Sequence, residues 1–208
     1  MADANGHPHD KALPSHEQAR AGAYALIAAV LLAPPSARLL HALGNAPELG
    51  GDGALALAWR DLCRRARLLD AGQAHAEHGA LFGSARAAGG IDPRAACYGA
   101  ADDALDGLRQ ELAAWRLARR ESATQPEDHL GALCESMRLL IEMRAPLEAQ
   151  QRLFERHLWP WVGACLDDIA HARGARFYAD GARLAAAFFD TEVQGFRLVD
   201  RNDRVRAA

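Results

Sequence analysis

The sequence predicts an all-α protein, and three observations support this fold class. Apolar residues recur at the helical spacings i, i+3, i+4 and i+7 in most segments. No stretch alternates apolar and polar residues as a half-buried strand would, and valine, isoleucine and threonine are scarce. Alanine, leucine and arginine, which all favour helices, dominate. We therefore expect a single globular domain of about nine helices, without internal repeats.

Composition places the chain among ordinary globular proteins. Of its 208 residues, 50% are hydrophobic and 25% are charged, which is typical of a folded domain and not of a disordered chain. The formal net charge is −3, and Lys11 is the only lysine. A nucleic-acid-binding protein is more often clearly basic, so this class is disfavoured.

The cysteines and the N-terminal segment indicate a cytoplasmic protein. No C-x-x-C motif occurs, and the four cysteines lie far apart: Cys63, Cys97, Cys134 and Cys165. We expect free thiols, as in a reducing compartment. Residues 1–14 are polar and unlike a signal peptide. The best apolar run, Ala23 to Ala33, is too short to span a bilayer, so no membrane insertion is expected.

Capping residues, glycines and prolines divide the chain into helices. Ser15 and Gln18 have capping-box spacing and predict the start of the first helix. Ser36 is expected to cap a short second helix, and Pro160 to bend or break a later one. The predicted helices cover about 16–33, 36–44, 54–69, the segment from Gly72 to Phe82, 101–119, 124–144, two segments between 146 and 174 divided at Pro160, and 176–191.

The segment Gly83 to Gly99 is the longest irregular stretch between these helices. It holds four glycines and a proline and shows little periodicity. Loops of this length tend to be functional or hinge-like, so we expect a mobile segment near a binding site. Three regions follow: a flexible tail (1–15), a helical domain (16–192) and a charged tail (193–208).

The stretch Thr124 to Gly131 predicts a helix start with charged residues beside it. Thr124 and Glu127 have capping-box spacing, Pro126 suits a first turn, and Asp128 complements the helix dipole. An apolar stripe follows at helical spacing: Leu130, Leu133, Cys134, Met137, Leu140 and Ile141. Asp128 and His129 are therefore expected at the border between core and solvent.

No motif of enzyme chemistry is present. His75 and His78 flank Glu77, but there is no H-E-x-x-H motif and no tight Cys/His cluster. The chain lacks a P-loop, a G-x-S-x-G elbow and the paired E-x-x-H motifs of a di-iron bundle. We expect a binding protein that is not an enzyme and holds no cofactor or metal.

Five distinctive motifs are spread along the chain. The strongest is Pro126-Glu127-Asp128-His129 followed by an apolar helix. The others are Glu77 to Gly83, Pro93 to Tyr98, His157 to Trp161, and Phe177-Tyr178. Together, and in this order along the chain, they resemble the motifs of the TorD/DmsD/NarJ family of molybdoenzyme maturation chaperones. The resemblance covers about residues 20–192. Gln125 departs from the family's common Glu, and Arg94-Ala95-Ala96 replaces more characteristic residues.

This resemblance implies a TorD-like helical chaperone. Such proteins bind the N-terminal segment of a molybdopterin oxidoreductase catalytic subunit, often a twin-arginine signal peptide. They hold the client in the cytoplasm until its molybdopterin guanine dinucleotide cofactor is inserted. The long loop from Gly83 to Gly99 permits domain swapping, so we expect a monomer or a domain-swapped homodimer. The peptide-binding residues expected from the matching motifs are Pro126, Glu127, Asp128, His129, Glu77, Leu81, Phe82 and Tyr98.

The physical chemistry of a twin-arginine peptide fits these residue types. Its cationic start needs carboxylates, and its apolar stretch needs an adjacent groove. The alternative is an all-α assembly or regulatory subunit that docks on a folded partner protein. A helical enzyme with an unrecognised site is a third, weaker possibility.

Overall fold

The computed structural model describes residues 13–83, 89–101, 103–119 and 123–207, with side chains described as far as residue 199. Within these ranges the chain is all-α and has no β-strand; Arg94 and His129 form an isolated bridge. The helices are α1 (Ser15–Leu32), α2 (Ala37–Gly44), α3 (Ala54–Leu68), α4 (Ala71–Phe82), α5 (Ala104–Ala114), α6 (Leu130–Glu142), α7 (Leu147–Leu153), α8 (Trp159–His171) and α9 (Phe177–Ala207). A 3₁₀ turn covers Ala95–Tyr98, and a π-helical turn covers Phe154–Leu158.

Helix α6 forms the centre of the domain. The predicted apolar stripe of this helix is confirmed, because all six of its residues are buried. The stripe packs along α1, whose inner face carries Tyr24, Ile27 and Leu31. Helix α9 packs against α3 and α8 and completes the core. The apolar periodicity therefore predicted the central packing correctly.

The capping predictions have mixed outcomes. Ser36 caps α2 as predicted, with its hydroxyl accepting the Leu39 N–H at 3.2 Å. The predicted box at Ser15 is wrong, because Pro14 precedes α1 and no side chain caps it. A capping box forms instead between Asp70 and Gln73 at the start of α4. Helix α4 therefore begins at Ala71, and Gly72 lies in its first turn.

Pro160 breaks the regular helix, as predicted. Proline has no N–H and clashes with the carbonyl four residues earlier, so an α-helix cannot pass through it undisturbed. Here the π-helical turn comes directly before α8, and Pro160 lies in the first turn of α8. The indole Nε1 of Trp161 donates to the His157 carbonyl at 2.7 Å, which satisfies a backbone acceptor in this distorted region.

Two predicted helix ends are wrong. Helix α5 ends at Ala114 instead of Arg119, and Arg116 just after it has a positive φ of 56°. The last helix continues to Ala207 instead of ending at Thr191. Its continuation is stabilised by buried Phe196, which packs against Phe154 with ring centroids 5.5 Å apart.

The four cysteines are thiols that form no disulfide, as predicted, and Cys63, Cys134 and Cys165 are buried. None of the helices in the described residues has the length and apolar character that crossing a bilayer requires.

Candidate functional site

The segment before α6 is not helical, so the predicted helix start at Thr124 is wrong. Helix α6 begins at Leu130, and His129 is its N-cap. Asp128 to Leu130 instead pair with the chain after α4. The Leu130 N–H donates to the Pro93 carbonyl at 2.8 Å, and the Ala95 N–H donates to the Asp128 carbonyl at 3.1 Å. These bonds hold the backbone extended, which prevents the Thr124–Glu127 capping box.

Asp128 is buried, with 6% of its surface exposed, yet only one of its two carboxylate oxygens accepts a hydrogen bond. Oδ2 accepts the Ala96 N–H at 3.2 Å and so ties Asp128 to the 95–98 turn. Among the described residues, no group hydrogen-bonds to the other oxygen, Oδ1. In the part of the chain that the structure describes, His78 Nε2 is the only side-chain nitrogen or oxygen that is fully buried and has no hydrogen-bond partner. Because Asp128 Oδ1 has no partner either, it is not fully buried and is accessible to solvent.

Asp128 lines a cavity of about 750 Å³, which we call the Asp128 groove. The groove lies between the 95–98 turn, α5 and the start of α8. Its acidic lining residues are Asp103, Asp106 and Asp128, and Arg156 supplies a guanidinium. Tyr98, Pro160 and Trp161 add aromatic and apolar surface. The groove therefore combines carboxylates with apolar side chains, as a cationic, partly apolar ligand requires.

Tyr98 is held rigidly in the wall of this groove. Its ring stacks on Trp161 with centroids 5.8 Å apart and an angle of 23° between the planes. Its hydroxyl donates to Asp168 Oδ2 at 2.9 Å. Burial and the nearby Cys165 and Asp168 raise the pKa of the Tyr98 phenol far above its usual value, so the group is neutral.

His129 follows Asp128 in the chain and acts as the N-cap of α6. Only 3% of its surface is exposed, and Nδ1 accepts the Gly131 N–H at 3.0 Å. Burial lowers the pKa of His129 to about 4. The charge of Asp92 acts to raise this pKa, whereas Arg94 and His78 act to lower it further. The ring is therefore neutral at pH 7, with its proton on Nε2.

Pro126 and Glu127 form the turn that leads into Asp128. The Pro126 carbonyl accepts the His129 N–H at 3.2 Å. Glu127 pairs with Arg109 of α5, with Oε1 and Nε 3.2 Å apart. Burial works to raise the pKa of Glu127, but the Arg109 hydrogen bond and charge outweigh it, and the pKa is lowered. Glu127 thus joins this turn to α5, a helix that lines the groove.

The three candidates on α4 lie elsewhere and do not line the Asp128 groove. Glu77 caps α9, because Oε1 accepts the N–H groups of Arg176 at 2.8 Å and Tyr178 at 2.9 Å. Leu81 is part of the core, and Phe82 packs edge-on against Tyr178 with centroids 5.1 Å apart. Of the eight predicted residues, the structure brings Asp128 and Tyr98 together in the groove.

Sequence reasoning missed several groove residues. Asp103, Asp106 and Arg156 belong to helical segments whose charges are expected to be simply solvated, so no local signal marked them. His157 belongs to the His157 to Trp161 motif but was not predicted as a site residue; it is buried and lies within hydrogen-bond distance of Glu111 at 2.9 Å. Within the described ranges, no group of three or more His, Cys, Asp or Glu side chains is placed to hold a metal ion.

A second cavity, of about 700 Å³, lies between α1, α3 and α9. Its walls are apolar and include Leu26, Trp59 and Phe188. At its rim lies a buried ion pair between Arg20 and Glu192, which joins α1 to α9. Every polar group of this pair has a partner, so the cavity offers apolar surface but no unsatisfied charge.

Comparison with known proteins gives the family. The family model described as nitrate reductase delta subunit matches residues 50–167, more than half of the chain. The match contains the Glu77 to Gly83 segment, the 95–98 turn, Asp128 and the start of α8. No curated protein matches the chain significantly. The chain therefore belongs to the nitrate reductase delta subunit family, whose members are maturation chaperones of molybdoenzymes and not enzymes themselves.

Proposed function

We propose that this chaperone binds the N-terminal segment of its molybdoenzyme client in the Asp128 groove. The segment is a twin-arginine signal or a related cationic sequence. The chaperone holds it in the cytoplasm while the cofactor is inserted and before export. The observation that carries the proposal is the partner-free Oδ1 of a carboxylate that is otherwise buried.

Burial and backbone bonding prepare this carboxylate for a cationic ligand. The Ala96 N–H and the two main-chain bonds to the 93–95 segment hold Asp128 in place before a ligand arrives. A guanidinium that donates to Oδ1 therefore orders little of the protein on binding. A hydrogen bond between charged groups in such a place contributes about 1–3 kcal/mol.

The rest of the groove supports the same kind of ligand. Asp103 and Asp106 extend the negative potential along the α5 wall, which favours and orients a cationic segment. Tyr98, Pro160 and Trp161 supply apolar contact for the residues that follow the arginines. A peptide with a charged start and an apolar continuation is thus matched by the two kinds of surface that line the groove.

The test is calorimetry with a short synthetic peptide that carries Arg-Arg before an apolar stretch. Asp128→Asn should weaken binding by about 1–3 kcal/mol and reduce its dependence on salt, because one screened attraction is lost. The fold should change little, since asparagine can still accept the Ala96 N–H. The matched control is Asp190→Asn, an exposed position on α9 outside the groove, which should bind like the parent.

Two outcomes would contradict the proposal. Parental affinity in Asp128→Asn would move the peptide site away from this groove. No binding of the peptide to the parent protein would favour the alternative, in which the chain docks on a folded partner. Both variants must first be shown to melt like the parent.

A further inference from the structure

The second functional element of the groove is the ring of Tyr98. We propose that this ring makes the groove select arginine over lysine in the client segment. The inference rests on the proposed function and assigns to Tyr98 the discrimination between a planar guanidinium and a compact ammonium. The carboxylate of Asp128 attracts either cation, so it cannot by itself separate the two.

Tyr98 is positioned by contacts on two sides. Trp161 stacks on its ring at 5.8 Å, and Asp168 accepts its hydroxyl proton at 2.9 Å. Trp161 is itself fixed, because it is buried and its Nε1 donates to the His157 carbonyl at 2.7 Å. The aromatic wall is therefore rigid before a ligand binds, and no rotamer freedom is lost on binding.

The ring and the carboxylate belong to one small unit. Tyr98 ends the 3₁₀ turn whose Ala96 N–H is bound by Asp128 Oδ2. Both side chains line the same groove. A client segment that lies in the groove can therefore reach both the carboxylate and the aromatic ring.

Arginine and lysine differ in how they use such a site. The guanidinium is planar and weakly hydrated, so one face can lie against an aromatic ring while its edge donates to a carboxylate. The lysine ammonium is a compact, strongly hydrated charge that loses more water against a ring. An aromatic ring beside a fixed carboxylate therefore favours arginine.

The experiment compares two synthetic peptides, identical except that Arg-Arg in one is Lys-Lys in the other. The parent should bind the arginine peptide about threefold or more tightly than the lysine peptide. Tyr98→Phe keeps the ring and should keep that ratio. Tyr98→Leu keeps apolar bulk without the ring, and its ratio should fall towards one. Thermal melting of each variant checks the fold.

The results separate this inference from the proposed function. A ratio near one in the parent overturns the inference, whether or not the Tyr98→Leu variant folds. An unchanged ratio in a folded Tyr98→Leu protein also overturns it, while Asp128-dependent binding would leave the proposed function intact. If neither peptide binds the parent, the proposed function fails and the inference fails with it.

Discussion

Glu192 of α9 accepts hydrogen bonds from both Nε and Nη2 of Arg20 of α1, each at 2.8 Å. The Tyr24 hydroxyl donates to the same carboxylate at 2.9 Å, and Arg20 also donates to Gln150 of α7 at 3.0 Å. The side chain of Glu192 is 5% exposed and that of Arg20 is 18% exposed. The Glu192 carboxylate therefore joins α9 to α1, and Arg20 extends the network to α7 at the edge of the apolar cavity.

Removal of this carboxylate should destabilise the domain strongly. Glu192→Ala leaves a largely buried guanidinium and a buried hydroxyl without their partner, and should lower the free energy of unfolding by about 3 kcal/mol. Chemical denaturation measures the change. The control is Glu142→Ala, which removes an exposed partner of Arg138 and should cost under about 1 kcal/mol. Equal losses in the two variants would show that the buried pair contributes no more than a surface pair.

His129 should make stability depend on pH. Its pKa is lowered from 6.5 to about 4 in the folded state, so the unfolded chain binds more protons between these values. The stabilisation is full above about pH 6.5 and is lost as pH falls towards 4, by up to about 3 kcal/mol. His129→Asn keeps an acceptor for the Gly131 N–H and removes the titration. The denaturation free energy of the parent should thus fall more steeply than that of the variant over this range. Parallel curves would contradict a depressed pKa.

Glu77 should matter for stability and not for peptide affinity. Its carboxylate accepts backbone N–H groups at the start of α9, so Glu77→Ala should cost about 1–2 kcal/mol, as the loss of a helix cap does. Binding of the arginine peptide should stay at the parental level, measured where the variant is fully folded. Glu148→Ala, at an exposed position on α7, controls for the loss of a carboxylate. A weaker affinity with unchanged stability would instead place α4 in the client site.

Arg156 should oppose a cationic client. It is exposed, lines the groove and makes no ion pair among the described residues. Arg156→Gln removes a repulsive charge and should tighten binding of the arginine peptide by about twofold to fivefold. Arg173→Gln, exposed near the end of α8, should leave the affinity unchanged. A weaker affinity in Arg156→Gln would show that this guanidinium contacts an acidic or carbonyl group of the client.

The features that sequence predicted well are those set by neighbouring residues. The α6 stripe follows from spacing alone, and the break at Pro160 follows from the missing N–H. The family resemblance rested on motifs of which all but Phe177-Tyr178 lie within the family match. Asp128 and Tyr98 came from those motifs, and they are the two candidates that the structure places in one groove.

The features that sequence missed depend on contacts between distant segments. The capping box at Thr124 has correct spacing, but pairing of Asp128 and Leu130 with residues 93–95 holds the backbone extended. Glu77 was a peptide-binding candidate, and its observed partners are backbone groups of α9. The partners of Asp128 and Leu130, and those of Glu77, cannot be identified from local sequence, because they lie in distant parts of the chain.

The π-helical turn before Pro160 sets which changes in chain length the groove can accept. In this turn the Trp159 N–H bonds to the Phe154 carbonyl, five residues earlier instead of four, so the turn holds one residue more than an α-helical turn would. Deletion of one residue within Phe154–Leu158 would therefore restore an ordinary α-helical turn and leave Trp161 close to its present orientation against Tyr98. Insertion of a further residue would instead turn Trp161 by up to about 100° relative to α7, so relatives with such an insertion would be expected to have a rebuilt groove wall, even where every aromatic residue is retained.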